Sequence, residues 1–102
     1  MFLVQVILPL YDNQGRVFPQ RDVAAVRAEL TARFGGATAY TRAPAQGTWE
    51  DDEGLVRHHD VIVIEVMTEP LDRAWWAAYR AELAARFRQD EVVIRATAME
   101  ML

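Results

Sequence analysis

The sequence predicts an α+β sandwich with elements in the order β-α-β-β-α-β. Two observations carry this. The segment Arg27-Ala-Glu-Leu-Thr-Ala-Arg-Phe34 recurs 53 residues later as Arg80-Ala-Glu-Leu-Ala-Ala-Arg-Phe87, with seven of eight positions matching. Each copy follows an apolar, β-branched stretch and precedes another, so the chain reads as two similar halves, strand–helix–strand each.

The first strand is Phe2–Leu10, apolar on both faces. The turn residues Asp12-Asn13-Gln14-Gly15 follow. In the first helix Val23, Val26, Leu30 and Phe34 fall on one stripe of a 3.6-residue period. Pro19 stands where a helix can start and Gly35-Gly36 where one ends. The second strand is Ala37–Trp49 and the third Leu55–Met67, with the run Val61-Ile-Val-Ile64. The acidic turn Asp51-Asp52-Glu53-Gly54 between them makes an antiparallel hairpin. Pro70 or Asp72 opens the second helix, whose stripe is Trp76, Tyr79, Leu83 and Phe87. Trp75 then lies at the margin of the stripe, against the helix flank or a neighbouring chain. Glu29–Arg33 and Glu82–Arg86 are spaced as i, i+4 ion pairs. Glu91–Ala98 closes the sequence of elements as the fourth strand. Right-handed crossovers put strands one and three at the centre and both helices on one face. This is the split βαβ, ferredoxin-like arrangement, expected as one domain over residues 1–102.

Composition excludes much chemistry. The 102 residues include no cysteine, serine or lysine, and all 11 basic residues are arginine. There is no serine or thiol nucleophile, no thiolate metal site, no Schiff-base lysine and no P-loop lysine. A net charge of −4 argues against nucleic acid and anionic membrane as partners. The apolar run Phe2–Leu10 is too short to span a bilayer and lacks a basic leader, so the cytoplasm is the expected compartment.

Strand alternation divides the sheet into two faces. Val4, Val6, Leu8, Ile62, Ile64, Val66, Val92, Ile94 and Ala96 face the helices. The open face receives an apolar floor of Leu3, Ile7, Val61, Val63 and Val93. On it stand the polar candidates Gln5, Tyr40, Arg42, Glu65 and Arg95, with His59 at its mouth and Gln46 sharing it if the hairpin is regular. A bulge near Pro44 or Gly47 would flip part of this set. So much apolar surface calls for a cover. The expected cover is a second copy, with two open faces packed together or one strand edge paired across, giving a homodimer that is a binding or structural module. A small anionic ligand held between sheet and partner is the sharper reading, with Gln5, Tyr40, Arg42 and Arg95 as ligand-binding residues. The alternative is an enzyme needing no cofactor, with His59 and Glu65 as acid and base and Arg42 or Arg95 holding an anion. His58 and His59 are neighbours in a strand and point to opposite faces, so no metal site and no cofactor are expected. Trp49 is placed to pack on Val56 across the hairpin or to anchor a partner.

The run Ala45-Gln46-Gly47-Thr48-Trp49, the acidic turn and Val56-Arg57 with the strand that follows resemble the hairpin of an uncharacterised family of small bacterial ferredoxin-like proteins. That resemblance implies the fold and no activity. The architecture is also similar to the dimeric α+β barrel proteins, which include cofactor-free monooxygenases, small isomerases and non-enzymes. At that level it implies a fold, not a function.

Overall fold

The computed structural model describes the backbone of residues 1–50 and 56–102, and side chains outside 41–59. The elements run β1 (Phe2–Pro9), α1 (Gln20–Phe34), β2 (Thr38–Glu50), β3 (Val56–Thr68), α2 (Arg73–Arg86) and β4 (Val93–Ala98). The four strands form one antiparallel sheet in the order β2-β3-β1-β4. Strands one and three are central, as right-handed crossovers demand, and the fold is ferredoxin-like.

Local chemistry sets the boundaries. Asp12 Oδ1 accepts hydrogen bonds from the backbone N–H groups of Gln14 and Arg16, both at 2.9 Å. This Asx turn reverses the chain after β1, and Gly15 supplies its positive φ of 80°. Those backbone bonds, Arg16 first, hold the exposed Asp12 carboxyl below its ordinary pKa. Pro19 precedes α1 with an extended ψ of 141°. Gly35 ends it in the left-handed region, φ 83°, donating to the Thr31 carbonyl. Of the two candidate starts for α2, Asp72 is the cap, and its carboxylate accepts from the Trp75 N–H at 3.1 Å.

The core lies between the helices and one face of the sheet. Val4, Val6 and Leu8 of β1 and Ile62, Ile64 and Val66 of β3 meet Val26 and Leu30 of α1 and the α2 stripe through Phe87. Val92 and Phe18 close its ends, Phe18 edge-on to Phe87 at 5.1 Å. Each large side chain taken fully out of water here contributes about 1.5–3 kcal/mol before entropy is counted. Aromatic side chains extend the core between the helices. Phe34 stacks on Trp76 at 5.1 Å, and Trp75 stacks on Tyr79 at 4.8 Å. Trp75 therefore covers the helix flank, edge-on to Phe34.

One expected ion pair forms differently. Glu82–Arg86 is present at 2.8 Å, but Glu29 turns away from Arg33 toward α2. It accepts from the Tyr79 hydroxyl at 2.8 Å and from Arg86 at 3.0 and 3.1 Å. Arg33 instead lies over the Trp75 ring, 4.2 Å from its centroid. A phenol and a guanidinium converging on one carboxylate satisfy it better than one mobile exposed arginine does. Burial first, then the bond to Glu29, pushes the Tyr79 hydroxyl well above its ordinary value. Burial alone would lower Arg86, but its bonds to Glu29 and Glu82 outweigh this and raise it.

The hairpin β2–β3 is not regular. Its register shifts between Arg42 and Gly47, so residues 43–46 stand against Asp60 alone. Gly47, not Gln46, is consequently opposite His59, and Trp49 is opposite Arg57 rather than Val56. Pro44, which lacks an N–H for the ladder, falls inside the slip.

Candidate functional site on the open face of the sheet

The register arranges the open face in rows, because directly paired residues share a face. Gln5 is opposite Glu65 on β3 and opposite Arg95 on β4. Thr38 of β2 extends this row beyond Glu65. The next row is Tyr40, Val63, Ile7 and Val93. On the other side of the polar row lie Met67, Leu3 and Thr97. A polar strip therefore crosses the sheet between two largely apolar rows.

The strip is a continuous chain of hydrogen bonds. Arg95 Nε donates to Gln5 Oε1 at 2.7 Å, and Gln5 Nε2 donates to Glu65 Oε2 at 2.6 Å. Its polarity is forced. A guanidinium can only donate and a carboxylate can only accept, so the amide between them has one possible orientation. Gln5 thus joins a cation to an anion without adding charge. A glutamate there would set two carboxylates side by side, and a leucine would leave both charges unjoined.

The apolar floor is uneven in exposure. Val63 is only 9% exposed, shielded by its neighbours within the face. Tyr40, Val93 and Met67 are 45%, 49% and 51% exposed. Three of the six sequence-predicted residues, Gln5, Glu65 and Arg95, are brought into direct contact. Tyr40 stands one row away, beside Val63. Arg42 is opposite Val61, and β2 and β4 are the two edges of the sheet. Its backbone is on the order of 20 Å from that of Arg95, given strand and residue spacings. His59 and Glu65 are six positions apart on β3, about 20 Å along the strand. The side chains of Arg42, Gln46, Trp49, His58 and His59 and the turn 51–55 lie outside the described residues.

Two grooves lined by described residues lie on the other side of the sheet. Among the described residues, one groove of about 440 Å³ opens between Phe18, Val23 and Ile62. Another, of about 210 Å³, opens between α2 and β4. Alternation of side chains places both on helix-side positions, and no sequence signal other than small alanines at positions 24 and 77 marks them. Among the described residues no three His, Cys, Asp or Glu side chains gather to hold a metal ion. Among the described residues no helix is long and apolar enough to cross a membrane.

The fold and this face define a ferredoxin-like α+β domain with one helix-covered and one uncovered sheet surface. No family model and no curated protein matches the sequence. Among solved structures the chain is similar to a phage SAM lyase in complex with S-methyl-5'-thioadenosine, with TM-score 0.65 and 17% identity over 94% of this chain and 79% of that one. The apo state of a phage SAM lyase aligns with TM-score 0.63 and 16% identity, over 94% of this chain and 78% of that one. Likeness at this identity shows a shared fold, one that a small enzyme also uses.

Proposed function

We propose that this chain is a self-associating module whose open sheet face packs against the same face of a second copy. The strip Arg95–Gln5–Glu65 carries the reading. Its positive end is on β4, its negative end on β3, and its neutral centre on β1. A two-fold axis lying between the two faces, parallel to the strands and passing over Gln5, sets each Arg95 over the partner copy's Glu65, so one patch is its own complement. The internal hydrogen bonds already satisfy part of each group, which lowers the cost of taking the strip out of water. The exposed Tyr40, Val93 and Met67 supply apolar area beside it.

Charge exchange tests this. Arg95→Glu alone sets like charges across the axis and weakens association by about tenfold or more. Adding Glu65→Arg restores the complementarity and most of the affinity. Equal association in all three proteins would remove the strip from the interface.

A second reading is favoured by the likeness to a lyase fold: a cofactor-independent enzyme acting at the same face. Glu65 would be its acid or base and Arg95 would hold an anionic group of the substrate. S-methyl-5'-thioadenosine is the first probe to use. A rise in melting temperature that Glu65→Gln abolishes supports this reading, and no rise at saturating probe opposes it.

A further inference from the structure

We infer that the edge of β4 and the groove beside it form a docking site for an extended acidic segment of another protein, added to the sheet as a fifth strand. The two edges of the sheet differ. β2 is protected as edge strands commonly are, by an internal proline and a slipped register. β4 has neither: it is a regular run, Val93-Ile-Arg-Ala-Thr-Ala98, and among the described residues it pairs only with β1. Its helix-facing Ala96 is exposed, because α2 does not reach over this side of the sheet. The gap is the groove of about 210 Å³, floored by Trp76, Ala77, Ile94 and Ala96 and flanked by Arg73 and Arg80. Among the described residues neither arginine has a carboxylate partner.

These features specify the occupant. An added strand would hydrogen-bond to the outer edge of β4 and continue the sheet. Its side chains on the helix side would lie over the groove at every second position, about 7 Å apart. Arg73 and Arg80 are seven residues apart on α2, about 10 Å along its axis. An apolar residue over Trp76 and Ala77, with an acidic residue two positions to either side, meets both arginines. A second copy using its own β4 is disfavoured, since two-fold pairing would bring both arginine pairs toward each other. The site adjoins the open-face strip at Arg95, which also lines the groove, but the added strand would use the outer edge of β4 and not the surface of the sheet.

The test is a titration of the full chain, followed by amide NMR and hydrogen exchange. The probe is a blocked peptide built on glutamate-threonine-leucine-threonine-glutamate, with its lysine counterpart as the control. The expected result is binding of the acidic peptide alone, slower exchange at residues 93–98, and weakening with salt. Arg73→Glu with Arg80→Glu, both exposed positions, weakens binding about tenfold or more while the amide spectrum of the core is unchanged. Equal binding of the lysine peptide, unaltered exchange along β4, or no shift at the solubility limit would overturn the inference. So would protection of residues 93–98 that rises with protein concentration alone, which would assign the edge to a second copy.

Discussion

The two faces of one sheet have been solved differently. On the covered face Val4, Val6, Leu8 and Ile64 are sealed by the chain's own helices. Its central rows, Val66–Val4–Ala96 and Ile64–Val6–Ile94, contain no polar group, and the buried Thr68 stands only at the margin, opposite Phe2. The open face has the same β-branched vocabulary, yet a charged strip interrupts it and its outer residues stay near half exposed. A core needs volume and shape alone, because every position is filled from within. A face that receives a partner, as proposed for this one, would need orientation as well, and a cation and an anion at the two ends of a strip would provide it.

Removing volume from the covered face has the largest expected effect. Leu83→Ala, at a position with 0% exposure, costs about 2–5 kcal/mol of folding free energy in a denaturant titration. It leaves the oligomeric state of the folded protein unchanged. The reverse pattern is expected on the open face. Val93→Glu places a charge on an apolar row and weakens association by at least about tenfold, or 1.4 kcal/mol, with folding stability moved by less than about 0.5 kcal/mol. If the substitution instead lowers stability and spares association, the two faces are not distinct in the way described.

The helix pair offers a smaller effect with a pH signature. Tyr79→Phe removes the bond to Glu29 and costs about 1 kcal/mol near neutral pH. Burial and the bond to Glu29 raise the Tyr79 hydroxyl in the folded protein above the ordinary tyrosine value of about 10. Its contribution is therefore complete below pH 10, and stability falls as pH rises beyond it toward the folded value, because the unfolded chain loses the proton first. Melting temperature measured on the alkaline side should decline less steeply in Tyr79→Phe. Smallest is Gln5→Leu, which disconnects Arg95 from Glu65 at a partly exposed site. A loss of under about 1 kcal/mol in stability is expected, with a larger proportional loss in association.

The sequence carried the fold because its signals were redundant. Two helices with one stripe, a glycine stop after α1 and an acidic cap before α2 agree on boundaries to within a residue or two. Alternation alone located Gln5, Glu65 and Arg95 on one face, and the parity of regular strands made that inference safe. It did not reveal that the three are joined, because joining depends on the register between strands distant in sequence. The slip between Arg42 and Gly47 shows the limit of alternation. Pro44 and Gly47 hint at an irregularity, but its size of several residues comes from pairing. Glu29 shows a second limit. Spacing on its own helix favoured Arg33, whereas packing of α2 delivered Tyr79 and Arg86 to it. The groove beside β4 is formed by small alanines and by what α2 fails to cover, and neither feature stands out in a sequence.

Sedimentation equilibrium of the unmodified chain, from low micromolar to sub-millimolar concentration, tests the central claim most directly. A single reversible monomer–dimer equilibrium, shifted to monomer in Val93→Glu, is the predicted result. A monomer mass throughout that range, or a dimer that Val93→Glu and Arg95→Glu leave untouched, would contradict it.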